Sequence, residues 1–432
     1  MKVALITPWP PQQSGIADYA YQLAARLVGS GVETTVITTA GSATLLANCE
    51  IRECIDASDA AVPADALPVF QLGNNLAFHG FQPELLARLG GVVHLHDPVL
   101  HHLHVDRTLA RREGSYWDDL HQWYGPAVVA AVRRMVERGA PPWTHAAVMD
   151  LPFFEPYLRH ADAAIVHSQY AAARIRDRMP GLRVHSVAQS YSIAIAPPHA
   201  ARSGPLTLGI FGWVEPHKRI DMVLRAIAIL RDRGVALELE ICGHAGAASA
   251  DTANLIRALG LNGVVHMRGH MEAAAFVAAI ARVDLCVNLR DPTMGETSAV
   301  VTQALQLGTP VIVSDVGWYA ELPECVLKIP AADGAIDALV AHLARLATDR
   351  GEVAALARAT RHYAQQMLDP DRVATRYVAV LAEEAAERDR RRAIEGALYA
   401  QLAAALADLD LRHSPQQRDI QAEILRTLAP CL

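Results

Sequence analysis

Two doubly wound α/β domains in tandem, followed by a helical C-terminal extension, are what this sequence predicts. Three observations carry the expectation: a strand, loop, helix, strand run opens the chain, a second such run begins near residue 206, and everything past residue 330 has helical spacing. The length of 432 residues also exceeds what one hydrophobic core usually serves.

The first strand is read over Met1 to Thr7, a buried parallel run, followed by a loop from Pro8 to Ser14 and a helix from Ala17 to Leu27 that stops near Gly29. "VETTVIT" is the second strand, and further strands are placed at Val69 to Leu72, Gly91 to Leu95 and Ala163 to His167. Between the last two lies a polar and aromatic excursion over roughly 100 to 160, read mainly as helices. It holds Trp117, Trp123, Tyr124 and Trp143, which form either a satellite core or an acceptor platform, the core being the safer expectation. The proline-bearing "APPHAARSGP" at 196 to 205 marks the domain boundary, dividing the chain into 1–195, 205–375 and 376–432. "LTLGIFGWVEPHKRIDMVLRAIAIL" then repeats the opening: a strand to Phe211, a loop, and a helix from about Ile220. Strands follow at Leu237 to Cys242, Gly263 to Met267, Asp284 to Asn288 and Pro310 to Val313. The extension ends in a long helical run and a final short helix.

Composition narrows the function classes. Hydrophobic residues at 52% and charged residues at 20% suit a compact enzyme, and a formal charge of −7 leaves no basic surplus for neutralising nucleic-acid phosphates. Six scattered cysteines without a CxxC pair argue against structural zinc and disulfides. The short apolar run "VALI" falls below a signal-peptide core, and no stretch offers ~20 apolar residues for a membrane span, so the cytoplasm is expected. Arg388, Arg390, Arg391 and Arg392 suit either contact with the inner face of an anionic membrane or, with their interleaved acids, a solvated helix face.

Two such domains bring the carboxyl ends of two sheets opposite each other, and the chemistry belongs at that seam. "TPWPPQQSG" and "GWVEPHKR" lack the GxGxxG glycines, and no GxxxxGK[ST] loop is present, which demotes a nicotinamide enzyme or a nucleotide hydrolase. Five segments occur in order: "SGIADY" (14 to 19), "LHDPVLHHL" (95 to 103), "EPHKRID" (215 to 221), "PTMGETS" (292 to 298) and "LGTPVIVSDVGWYAELP" (307 to 323). In these segments, over roughly residues 1 to 380, the chain resembles a GT-B fold glycosyltransferase of the retaining family 4 type, with two Rossmann-like domains. It most resembles the subgroup of bacterial polysaccharide and O-antigen assembly, often mannosyltransferases.

The resemblance implies site residues. Lys218 would neutralise the diphosphate leaving group; an ordinary surface lysine is the competing reading. The family's usual arginine five residues earlier is replaced here by Trp213, and Arg219 or Arg290 is a candidate substitute. Glu296, Thr297 and Ser298 stand before a helix, where backbone N–H groups bind phosphate and a carboxylate accepts sugar hydroxyls, although the same residues also cap helices. The family's two glutamates, eight positions apart, fall on Gly295 and Gln303, leaving Glu296 one place late. His96 is implied beside the reacting sugar, with Asp97 next to it, a structural histidine being the alternative. Gly15 and Gly212 would let backbone approach the donor, and Glu321 would lie by the nucleotide, with Trp318 as packing. Gly15 serves a plain turn equally well. Asp18 and Asn74 are acceptor-side candidates that a first helical turn and a turn-forming asparagine explain as readily. A zinc reading of His94, His101, His102 and His104 is weak, since the spacing fits no known zinc pattern.

The expected activity is transfer of a hexose, with guanosine diphosphate mannose as a lean, from a nucleoside-diphosphate sugar to a saccharide or lipid-linked acceptor. Retention of configuration is expected, with no bound cofactor and no protein-bound metal. The alternatives are a non-catalytic nucleotide-sugar-binding scaffold and a nucleotide-sugar epimerase or sugar phosphorylase on the same fold.

Overall fold

The computed structural model describes residues 1–193 and 204–408. Most of the expected interdomain loop, the final short helix and Cys431 lie outside the described residues. The chain separates into two compact units, residues 2–377 and residues 378–432 with Met1. Within the second unit, what is described is the latter part of one long helix, in which Glu387 pairs with Arg390 at one turn's spacing.

The first unit begins with β1 (Lys2–Ile6), α1 (Gly15–Gly29), β2 (Glu33–Thr38), β3 (Glu50–Glu53) and β4 (Leu67–Leu72). Then come α2 (Leu76–His79), α3 (Gln82–Leu89) and β5 (Val92–Leu95). The excursion contributes α4 (His101–Val105), α5 (Tyr116–Tyr124), α6 (Pro126–Glu137) and α7 (Glu155–Leu158), before β6 (Ala163–Val166), α8 (Gln169–Arg178) and β7 (Arg183–Ser186). All seven strands pair in parallel, in the order β3-β2-β1-β4-β5-β6-β7. Their apolar runs are buried on both faces, as a parallel sheet covered by helices requires. Side chains such as Ile6, Phe70, Val93 and Val166 pack in one core cluster, each such burial contributing about 1.5–3 kcal/mol. The excursion has a small core of its own, built on Tyr116, Leu120, Val132, Leu151 and Phe153 with Trp117, Tyr124 and Trp143 against it.

The second half follows with β8 (Leu206–Phe211), α9 (Ile220–Asp232), β9 (Leu237–Cys242), α10 (Ser249–Ala258) and β10 (Val265–Gly269). It continues through α11 (Ala273–Arg282), β11 (Leu285–Asn288), α12 (Ala299–Leu307), β12 (Val311–Ser314) and β13 (Leu327–Ile329). α13 (Ala335–Thr348), α14 (Arg350–Met367) and α15 (Pro370–Asp408) close it. These strands form a parallel sheet in the order β10-β9-β8-β11-β12-β13. Each sheet therefore reverses strand order once, between β1 and β4 in the first and between β8 and β11 in the second. Such switch points part the loops at the strands' carboxyl ends and leave a crevice.

Serine and asparagine side chains start the helices that border these crevices. Ser14 accepts from Ile16 N, Asn75 from Ala77 N, Ser168 from Ala171 N and Ser298 from Val301 N. After β8 the chain turns at Gly212 (φ +88°), whose N–H donates to Cys242 O at 2.8 Å. Gly243 (φ +150°) lies so close to this turn that an added Cβ would sit 2.2 Å from Gly212 O. Gly243→Ala is expected to cost on the order of 2 kcal/mol or more by prising apart the loops after β8 and β9, read as a lowered midpoint in urea unfolding.

Candidate functional site

The two switch points open onto one cleft, of about 390 Å³. From the first sheet it is lined by Ser14 and Ile16 after β1, Asn74, Asn75, Phe78 and His79 after β4, and Asp97 after β5. The second sheet supplies His217 after β8 and Arg290, Met294 and Glu296 after β11.

Glu296 is the most heavily bonded group there. Its Oε1 accepts from Arg290 Nε at 2.8 Å and from the Tyr319 hydroxyl at 3.3 Å. Its Oε2 accepts from Met294 N at 2.8 Å and from the Thr293 hydroxyl at 3.2 Å. A carboxylate offers about four lone-pair sites. All are used within the chain, so the sugar-hydroxyl acceptor expected at Glu296 is instead the residue that holds Arg290 and the loop after β11. Arg290 is 7% exposed, and its Nη1 also donates to Leu289 O at 2.8 Å. Removing one partner of so buried a pair typically costs about 3–5 kcal/mol, because the other charge is stranded.

Beside this pair, Lys218 Nζ donates to Phe211 O at 3.0 Å and crosses Gly212, where an added Cβ would meet it at 2.8 Å. Burial and then the Arg290 charge lower the ammonium from its ordinary 10.5 to about 7. His217 is lowered to about 4 by burial and then by the same guanidinium. Across the cleft, Asp97 Oδ2 accepts from Asn74 N at 2.8 Å. Burial and, more weakly, Glu296's negative charge push its carboxyl up to about 6 against that bond.

Other expected site residues have different occupations. His96 points away from the cleft: its Nε2 meets Gln71 Oε1 at 2.5 Å and its Nδ1 faces His167 Nε2 at 3.3 Å. The Asn74 amide turns toward α4, accepting from Leu103 N and meeting His102 Nδ1, each at 2.9 Å. Arg219, in the left-handed region at φ 50°, pairs with Asp291 at 2.5 Å and lines a separate hollow with residues 331 to 337. Glu321 reaches from the second half to cap α8, accepting from the backbone N–H groups of Gln169 (3.0 Å) and Tyr170. Gly295 (φ +74°) packs where an added Cβ would meet Pro98 at 3.0 Å and Tyr170 at 3.1 Å, so the glutamate expected there would collide with the first half. Gln303 Oε1 is buried without a hydrogen-bond partner, Thr297 is half-buried, and Ser298 serves as the cap of α12. Gly15 opens α1 with free space around it, and Asp18 lies in that helix's first turn. Trp213 is 56% exposed and stacks on His244 at 4.7 Å between ring centroids.

The histidines weighed for zinc do not converge on one another. His101 meets Leu151 O and the Tyr116 hydroxyl, His102 meets Trp143 O, and His104 meets the Tyr157 hydroxyl. Sequence reasoning passed over His79, Phe78, His217 and Met294 as cleft residues. His217 and Met294 stood inside quoted segments, whereas nothing local marked His79.

Residues 194–367 match the family model described as Glycosyl transferases group 1. No protein of curated function matches the chain. Among solved structures, the chain is similar to the sucrose-phosphate synthase from Thermosynechococcus elongatus, at 18% identity and a TM-score of 0.60, covering 90% of this chain and 100% of that one. It is similar to Anabaena HepE in complex with UDP-glucose, at 16% identity and 0.59, covering 89% and 100%. A third likeness is to WaaG, described as a glycosyltransferase involved in lipopolysaccharide biosynthesis, at 14% identity and 0.56, covering 88% and 99%. These likenesses extend over both sheets and show the shared GT-B fold.

Asp97 gives a pH signature. Its folded-state pKa, about 6, lies above the ordinary 3.8, so the stability tied to its protonated form is complete below pH 4 and is lost as pH rises through 6. Asp97→Asn, which keeps an acceptor for Asn74 N, is expected to stabilise the protein by on the order of 1–2 kcal/mol at pH 7.5 and by almost nothing at pH 4. Urea unfolding at the two pH values measures the difference.

Proposed function

We propose that this chain, a group 1 glycosyltransferase of the GT-B fold, moves a hexose from a nucleoside-diphosphate sugar to a saccharide or lipid-linked acceptor, with retention of configuration. The observation that carries the reading is the cleft itself, which Arg290 lines and Lys218 adjoins, both desolvated at a switch point, with the paired carboxylate already saturated by the chain. Cationic charge withheld from water favours an anionic ligand, and a departing diphosphate is such an anion. Residues 205–375 serve as the donor domain, 1–195 as the acceptor-side domain and 376–432 as a helical extension.

In this reading the diphosphate lies against Lys218, Gly212 and the N-terminal end of α12 at Thr297 and Ser298. Gln303 offers its unpaired carbonyl oxygen to a ribose hydroxyl. Glu296 acts as a positioning residue that aims Arg290. Asp97, with a pKa near 6, suits the proton that the acceptor hydroxyl releases. The acceptor attacks on the face the diphosphate leaves, and closure of the two halves keeps water from the activated sugar. A uridine diphosphate sugar is the first donor to test, since HepE was crystallised with UDP-glucose; guanosine diphosphate mannose is the second. The enzyme works in the cytoplasm, at the inner membrane face when its acceptor is lipid-linked. Among the described residues no helix is long and apolar enough to cross a membrane.

A panel of donors assayed with and without oligosaccharide and lipid-linked acceptors tests the activity: diphosphate release that requires an acceptor supports transfer, and donor binding without turnover removes the enzymatic reading. Lys218→Met is expected to lower kcat/KM by about 100-fold or more. A second expectation concerns protons. Diphosphate binding favours charged Lys218, so the donor's Kd should rise with pH above 7, by up to about 10-fold per unit, and calorimetry should see proton uptake on binding. Lys218→Arg, which stays charged, should flatten the profile; an unchanged pH dependence in that variant would separate the donor site from Lys218.

A further inference from the structure

Behind the cleft, three imidazoles point nitrogens at one another inside the first sheet. His94 and His96 belong to β5 and its end, and His167 follows β6. His94 is fully buried, and His96 and His167 are 8% and 7% exposed. His167 Nε2 lies 3.2 Å from His94 Nε2 and 3.3 Å from His96 Nδ1, and one nitrogen from each ring falls within 4.8 Å of the others.

The surrounding bonds fix where the protons sit. His167 Nδ1 lies 3.0 Å from Val187 O, which only accepts, so that nitrogen carries the proton and His167 Nε2 carries a lone pair. His96 Nε2 faces Gln71 Oε1 while Gln71 Nε2 donates to the Tyr377 hydroxyl at 3.2 Å, so the carbonyl end of the amide faces His96. His96 Nε2 is then the donor, and its Nδ1 is a second lone pair, set against that of His167. His94 Nδ1 is held by the same Tyr377 hydroxyl at 3.1 Å, leaving Nε2 directed at His167. The Tyr377 hydroxyl, accepting from Gln71, gives its own proton to His94 Nδ1, so His94 Nε2–H donates to His167 Nε2. His96 Nδ1 is left facing His167 lone pair to lone pair in a dry interior, which costs energy unless something electrophilic lies between the rings. A proton is a poor candidate, because among the described residues no carboxylate is bonded to any of the three rings to balance its charge.

A metal ion meets the requirement. Two nitrogens bound to one tetrahedral zinc at about 2.0–2.1 Å stand roughly 3.3 Å apart, close to the spacing present here. The outer nitrogens are held by a carbonyl, a carboxamide and a phenol, the kind of second layer that sets tautomer and aim in histidine metal sites. The Tyr19 ring lies edge-on to all three imidazoles, 5.1 to 5.7 Å between centroids, and shuts out solvent on that side. We propose that His94, His96 and His167 form a three-histidine site for a divalent ion of the zinc class that fastens β5 to β6 beneath the cleft. His94 and His96 are stacked with their planes 26° apart, so one ring turns toward the ion as it is seated. The fourth position is left to water or hydroxide.

The test uses the full chain without a polyhistidine tag, stripped by chelator and titrated with zinc chloride against a chromophoric competitor, with cobalt chloride in parallel. About one tight zinc per chain is expected, together with a thermal shift that magnesium does not produce. Cobalt should give the visible bands of a tetrahedral nitrogen site without the near-ultraviolet band of thiolate ligation. Gln71→Leu, which removes only an outer partner, should weaken zinc by about 10-fold or more. The proposal is overturned if the folded wild-type chain takes up no tight zinc. It is equally overturned if cobalt shows thiolate ligation, or if a folded variant with His94, His96 and His167 all changed to Gln keeps the wild-type affinity.

Discussion

The four hydrogen bonds accepted by the Glu296 carboxylate are the constraint on which the cleft depends. They join the loop after β11 to itself, to the Tyr319 hydroxyl and to the buried guanidinium of Arg290. Lys218 and His217 lose affinity for protons through burial first and then through the field of Arg290 held in place. Asp97 gains affinity through its burial, and the Glu296 carboxylate adds to that more weakly. Burial and this ion pair together give the cleft one wall of basic groups with lowered pKa and, opposite, a carboxyl whose pKa is raised.

The strand and helix pattern was legible wherever burial imposed it. Central strands such as Ala163–Val166 and Val311–Ser314 read as near-continuous apolar runs because helices cover both faces. The three strands that sequence reasoning omitted, Glu50–Glu53, Arg183–Ser186 and Leu327–Ile329, are all edge strands. "EIRE" and "RVHS" are polar because an edge needs little burial and benefits from charge. Their pairing is fixed by neighbours distant in sequence, which no local window contains.

The site was legible as a set of segments and much less as a set of roles. Lys218 and Arg290 were named from motif position and do line or adjoin the cleft. Glu296 was named as a ligand-binding group, yet the Arg290 side chain and Thr293, a few residues before it, absorb its oxygens. Asp97 and His96 are neighbours in sequence, but alternation along an extended chain sends one to the cleft and the other into the interior. The convergence of His94 and His96 with His167 was hidden for the same reason as the edge strands: two strands had to pair before the rings could meet. The hydrogen-bond partners of Glu321 could not be read locally, because the amides of Gln169 and Tyr170 lie in the opposite half.

That last contact ties motion to secondary structure. The carboxylate of Glu321 occupies the N-terminal amides of α8, where it also answers the positive end of the helix dipole. Any swing that draws the two sheets apart strips this helix of its borrowed anion and returns two amides to water. Separation of the halves and loosening of a helix end are then a single event, and the free energy of one is written into the other. A helix that is less well terminated in the open state than in the closed one behaves as a spring, and its set point is decided by a residue on the far side of the opening.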